Sequence, residues 1–158
     1  MRGLPRSGKT TFAKSLIYPI VSPDDIRLSV FGERFNAANE PAVWRVLFAT
    51  ADALAHGEPH ATRIVVDATS NTLKRILPWI EWCERNRWAL LIKDMETPAD
   101  ECIRRAEAMG DSVIIPVIER MASERTADDT TEGIIALVER RKDERRANNF
   151  DPETGKPL

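Results

Sequence analysis

The sequence predicts an α/β fold, a parallel sheet with helices on both faces, and two observations predict it. Short apolar runs, Ile20-Val21-Ser22, Ile64-Val65-Val66-Asp67 and Trp88-Ala89-Leu90-Leu91-Ile92, alternate with longer stretches of helical periodicity. Strands joined through helices run parallel and are covered on both faces, which suits continuous β-branched runs such as Ile64 to Val66. Acids also stand at the C-terminal ends of these runs, at Asp24, Asp25 and Asp67, and that is the edge where ligands of such sheets bind.

Each element has its own reason. A glycine-rich turn over residues 3–10 leads into a helix whose face is expected to carry Phe12, Leu16 and Ile17. Strand 20–22 passes to Pro23-Asp24-Asp25-Ile26-Arg27, a helix start with proline and early acids. From Pro41 to His56, Trp44, Leu47, Phe48, Ala51, Leu54 and Ala55 repeat at helical spacing and stop near Gly57. After strand 64–67, Leu73, Ile76, Leu77, Ile80, Cys83 and Arg87 trace another helix, with Pro78 as a point of kinking, before strand 88–92. Thr97 is the expected cap and Pro98 the first residue of a helix that turns Cys102, Ile103 and Ala106 inward as far as Ala108. A loop around Gly110, a short helix from Pro116 to Met121 and a last helix from Ile134 follow, and the last dissolves into a mixed charged run over 139–146, expected as a solvated face. Residues 1–146 read as one domain and 147–158 as a polar tail.

Composition narrows the function classes. A chain of 158 residues that is 42% hydrophobic and 30% charged supplies one good core and is short for two ordinary domains. A net charge of −2 leaves no global positive field, so contact with a polynucleotide requires a local basic cleft. Cys83 and Cys102 fall inside helices, and no secretory signal or long apolar span is present. The expectation is a reduced cytoplasmic protein with packing cysteines, off the membrane and without an obligate protein partner.

Gly3-Leu4-Pro5-Arg6-Ser7-Gly8-Lys9-Thr10 matches G-x-x-x-x-G-K-[ST], a phosphate-binding loop whose amides wrap a nucleotide's phosphates. Such a loop leaves the end of a buried strand, and only Met1 and Arg2 precede Gly3, so the expected three-layer P-loop NTPase/kinase fold lacks its first strand here. Phosphoryl transfer needs a cradle for the donor, a cation with Mg²⁺, and a group that deprotonates the acceptor. Gly3, Arg6, Ser7, Gly8, Lys9, Thr10 and Thr11 are the candidate nucleotide-binding residues, Lys9 for the β and γ phosphates of ATP and the Thr10 hydroxyl for Mg²⁺. Asp24, three residues before Arg27, sets a carboxylate beside a guanidinium at a helix start, which suits a base for a hydroxyl and a clamp for an anionic acceptor. Asp24 and Asp25 also suit the plainer work of N-terminal helix acids.

With Ser22-Pro23-Asp24-Asp25-Ile26-Arg27, Val65-Val66-Asp67-Ala68-Thr69-Ser70-Asn71 with Arg75, and Thr97-Pro98 before Cys102-Ile103-Arg104-Arg105, the chain from Gly3 to Glu124 resembles the P-loop polynucleotide 5′-hydroxyl kinases, typified by the kinase domain of bacteriophage polynucleotide kinase/phosphatase. The resemblance implies that Asp24 is the general base, that Arg27 contacts the acceptor's phosphate, and that Asp67 supports them at the sheet edge. It implies a lid in which Arg105 reaches the ATP phosphates. The lid's second arginine falls on Met109, a departure that bears on rate, because one such arginine contributes several powers of ten.

The implied acceptor is a 5′-hydroxyl nucleic acid end. The scaffold also resembles the kinases of small hydroxylated metabolites and the zeta-toxin-like kinases, which are the alternative, and an ATP-binding module without efficient turnover is the alternative from another class. Trp79, Trp82 and Trp88 suit base stacking or, at their spacing, packing.

Overall fold

The computed structural model describes residues 1–148. Of the expected tail, residues 147 and 148 close the last helix and the others lie outside the described residues. The described residues form two compact units, one of Met1–Ser70 with Lys93–Ala122, the other of Asn71–Ile92 with residues 123–148.

In the first unit, β1 (Ile20–Val21) and β2 (Val65–Val66) pair in parallel, with Ile20 opposite Val65 and Val21 opposite Val66. The ladder is short because Pro19 precedes it and Pro23, which has no N–H, opens the next helix. The other side of β2 is taken by the main chain of Met1–Gly3. The Met1 ammonium donates to the Val66 carbonyl at 2.9 Å and Gly3 N–H to the Thr69 carbonyl at 3.2 Å. Beyond it, Arg2 N–H reaches the Lys93 carbonyl and Met95 N–H the Arg2 carbonyl, both at 2.9 Å, in a parallel bridge between Arg2 and Asp94.

Gly8, in the left-handed region at φ 95°, starts α1 (Lys9–Ser15). The expected face of this helix is not the buried one. Lys9 and Ala13, one turn apart, point inward, while Leu16 turns to extended backbone (φ −89°, ψ 144°) and leaves Ile17 94% exposed. The helix ends before Leu16 and Ile17, the two apolar residues that continue its stripe in sequence.

α2 (Pro23–Ile26) is capped by the Ser22 hydroxyl, which accepts from Asp25 N–H at 3.3 Å, and runs on as a wide π turn over Arg27–Phe31 that stops at Gly32, φ 68°. α3 (Glu40–His56) buries Val43, Leu47, Ala51 and Ala55, a strict four-residue row. The expected Trp44 and Phe48 stand half-buried one position along, in tilted ring contact at 6.3 Å. The smaller residues take the inner row.

α5 (Ala99–Ala108), a 3₁₀ turn over Ser112–Ile114 and α6 (Ile115–Ser123) bury Cys102, Ala106, Ile118 and Met121 against Leu4. The expected Thr97 cap is displaced. Pro98 holds the cap position of α5, and the Thr97 hydroxyl instead donates to the Ser7 carbonyl at 2.9 Å.

In the second unit, α4 (Leu73–Asn86) runs unbroken through Pro78, and Ile76 and Ile80 pack with Ile134 of α7 (Thr131–Asn148). Trp79 and Trp82 are buried, and Trp82 meets Trp79 and Trp88 edge-on at 6.2 and 5.6 Å. These rings are packing elements. Within the charged run, Arg141 departs from the expected solvated face by gripping both oxygens of Glu84, each at 3.1 Å. Cys83 is buried and its thiol is pushed up to about 11 by desolvation, which leaves it unreactive at neutral pH.

Residues 88–92 do not form the expected strand. Leu90 and Ile92 still pack on the Ile76 and Ile80 cluster, so the apolar run reports burial, whereas a strand also requires a neighbouring main chain, and none of the described residues makes a ladder with it.

Leu47 is fully buried, and Leu47→Ala is expected to cost about 3 kcal/mol in urea unfolding, while Ile17→Ala stays within about 0.5 kcal/mol of the parent.

Candidate functional site

The loop over Gly3–Gly8 is shaped by positive φ angles at Gly3 (143°), Arg6 (65°) and Gly8 (95°), and closes on itself where Ser7 N–H meets the Leu4 carbonyl at 3.2 Å. Gly3 has no room for a side chain, since a Cβ there would lie 2.9 Å from both Met95 Cβ and Ser7 Oγ. Thr97 holds the loop from outside through the Ser7 carbonyl.

Lys9 is only 7% exposed and its ammonium donates to the Leu4 carbonyl at 2.7 Å. Burial pulls its pKa below the ordinary lysine value, against the opposing pull of Asp67 and, more weakly, of the Cys102 thiol and Asp24. The Thr10 hydroxyl donates to Asp67 Oδ2 at 2.6 Å. Asp67 thus belongs with Thr10 and Lys9, and its hydrogen bond goes to the loop helix rather than to Arg27. The resemblance had set Asp67 in support of Asp24 and Arg27; its place one residue beyond β2 is the signal for the loop side.

Arg105 stands at the loop's rim. Its Nη1 donates to the Arg6 carbonyl at 3.2 Å and lies 3.9 Å from where a Cβ on Gly8 would be, while its Nε is bound to Glu101 at 2.6 Å. The Arg6 guanidinium pairs with Asp111, which Arg34 approaches at 3.9 Å. Thr11 is exposed on α1, next to Thr10. Met109 closes α5 four residues after Arg105, hence on the same helix face, and is 65% exposed.

Asp24 and Arg27 come together as their spacing suggests, Nη1 to Oδ1 at 2.5 Å, with the Asp24 side chain 79% exposed. A third residue was missed. Glu40, at the start of α3, takes the Arg27 fork with both oxygens, Nε and Nη2 each at 2.7 Å. This pairing holds the Arg27 pKa above its usual value and Glu40 below the usual carboxylate range. A 13-residue separation across a loop carries no periodic signal, which is why the sequence did not disclose it.

The residues present fit a nucleoside triphosphate with Mg²⁺. Ser7 Oγ is buried without a hydrogen-bond partner among the described residues and lies against Gly3 within the loop. Thr10 and Asp67 offer a hydroxyl and a carboxylate side by side, oxygen donors of the kind Mg²⁺ takes together with phosphate and water. No cluster of three or more His, Cys, Asp or Glu among the described residues forms a metal site made of protein alone.

A glycine-shaped loop opening a helix, with a buried lysine and a threonine beside a strand-end aspartate, defines a P-loop nucleotide-binding domain of kinase type. Residues 1–127 match the family described as AAA domain, and the chain belongs to that family of P-loop NTPase-like kinases. Comparison with curated proteins gave no match. No helix among the described residues is long and apolar enough to cross a membrane.

Because Glu40 has a depressed pKa in the fold, its contribution is present above its unfolded value near 4.5 and disappears as pH falls through the folded value. Glu40→Gln is therefore expected to melt below the parent at pH 7, by a loss of about 1.5 kcal/mol, and the gap is expected to close in melts taken at progressively lower pH.

Proposed function

We propose that residues 1–146 act as a single three-layer α/β kinase domain in the cytoplasm that transfers the γ-phosphate of ATP to a hydroxyl, most favourably the 5′-hydroxyl of a polynucleotide. The observation that carries phosphotransfer is the joining of Lys9, Thr10 and Asp67 at one end of the loop, with the exposed Asp24 carboxylate near enough to act on Lys9. Donor and acceptor chemistry then share one edge.

In this reading the loop amides and Ser7 hold the β and γ phosphates, and Lys9 offsets the charge that develops on them. Thr10 and Asp67 would hold Mg²⁺, which would supply charge neutralisation to the phosphates. Asp24 accepts the proton of the attacking hydroxyl. A new bond forms between that oxygen and the γ phosphorus, the bond from γ phosphorus to the bridging oxygen breaks, and ADP leaves. Arg105, with its Nη1 at the Arg6 carbonyl, contributes lid charge. Arg27 acts on the acceptor side, where its fork on Glu40 also fixes the direction of Asp24.

The resemblance over Gly3 to Glu124 supports the polynucleotide acceptor. A small hydroxylated metabolite is the second reading, supported by Arg27: its fork is filled by Glu40 and its remaining nitrogen faces Asp24, so an acceptor phosphate gains little there.

Transfer of labelled γ-phosphate from ATP to a 5′-hydroxyl oligonucleotide tests this directly. Lys9→Ala is expected to abolish labelling, and Asp24→Ala to lower it at least about 100-fold while ATP binding by calorimetry persists. Labelling that survives Asp24→Ala at the parent rate would remove the assigned base. Met109→Arg, on the Arg105 face, is expected to raise kcat by about tenfold or more, and an unchanged kcat would remove the lid argument.

A further inference from the structure

The base-stacking surface that buried Trp79 and Trp82 do not supply has a counterpart beside Asp24. Phe35 is 66% exposed on the loop between the π turn and α3. That loop is laced in place. Asn39 donates to Glu33 at 2.7 Å, Ala38 N–H to the Asn36 side chain at 3.0 Å, and Gly32 turns the chain at φ 68°. The Arg27 guanidinium lies over the Phe35 ring, 5.6 Å from its centroid. One guanidinium, held by Glu40, thus joins the exposed aromatic to the exposed carboxylate.

Charge says what belongs there. Arg27 is matched by two carboxylates, Asp24 and Glu40, so it offers little unpaired charge to an acceptor phosphate. The part of an acceptor that suits it is uncharged and planar, delivered with its hydroxyl toward Asp24. Leu28 and Val30, exposed on the π turn, extend the same segment's apolar surface. An exposed ring fixed by a cation is a sequence-tolerant stacking platform, since every nucleobase has a π face.

We propose that Phe35 is the platform on which the terminal nucleobase of the acceptor stacks while its 5′-hydroxyl meets Asp24. This rests on the polynucleotide reading above and makes the acceptor's end, a neutral nucleoside, the recognised unit.

The test compares 5′-hydroxyl oligonucleotides ending in a normal nucleotide or in an abasic sugar, by steady-state phosphorylation and by quenching of a 5′-terminal 2-aminopurine. In the parent the abasic end is expected to raise the acceptor KM roughly tenfold with kcat little changed. Phe35→Leu is expected to show that higher KM for both ends, with weakened quenching and an unchanged KM for ATP. Phe35→Tyr restores the preference. Because the ring is exposed, melting temperatures of both variants should match the parent and verify folding. A Phe35→Leu enzyme that keeps the parent's preference for a base-bearing end overturns the platform and leaves the kinase reading standing. A parent that binds ATP yet labels neither end overturns the polynucleotide reading and the platform with it.

Discussion

The loop from Gly3 to Gly8 can curl as it does because the main chain of Met1–Gly3 is held on both edges, by Val66 and Thr69 on one side and by Lys93 and Met95 on the other. Hydrogen bonds on both sides of three residues fix the height and direction at which the loop departs, and Gly3 must then turn at φ 143° under Met95 with no space for a side chain. The loop side of the site inherits its position from that strip. Val66 leads directly to Asp67, so the strand that anchors the strip also delivers the carboxylate to Thr10. The segment on the far edge leads through Met95 to Thr97, which steadies the loop at Ser7, and on to α5 with Arg105.

Much of this was legible in the sequence where a local rule and a tertiary need coincide. Val65 and Val66 of the β-branched run form a strand, and three of the four buried residues of the α3 row, Leu47, Ala51 and Ala55, stood in the helical stripe that the sequence shows. The readings that failed did so where a pattern has two physical causes. Residues 88–92 are apolar because they pack on Ile76 and Ile80, and burial does not provide the neighbouring main chain that a strand requires. Leu16 and Ile17 continue a helical stripe on paper, but periodicity does not say where a helix stops. At the site, spacing fixed Lys9, Thr10 and the Asp24 and Arg27 pair, because those contacts lie within one turn or one motif. Glu40 and Phe35 were out of reach, since their meeting with Arg27 depends on the path of a loop with no periodicity to read.

The site divides by charge. Lys9, Arg6 and Arg105 gather around the loop, whereas Asp24, Asp25 and Glu40 gather around the start of α2 and α3. That separation matches what a phosphoryl donor and a hydroxyl acceptor need, an anion held by cations and a proton drawn by a carboxylate. The cations are not equally ready. Arg6 is paired with Asp111 and Arg105 with Glu101, so a triphosphate must compete with a carboxylate for each of them. The Lys9 ammonium donates to the Leu4 carbonyl, a neutral acceptor, and its burial leaves it poorly solvated. Exchanging that carbonyl for phosphate oxygens gives up one neutral hydrogen bond and gains charge-assisted ones, which are about twice as strong. The ammonium is therefore the cation with most to gain from an incoming phosphate, and the arginines are those whose engagement requires another contact to break. In the proposed kinase reading Lys9 therefore takes the donor first, and Arg105 turns its Nη groups from the Arg6 carbonyl toward it while its Nε stays on Glu101.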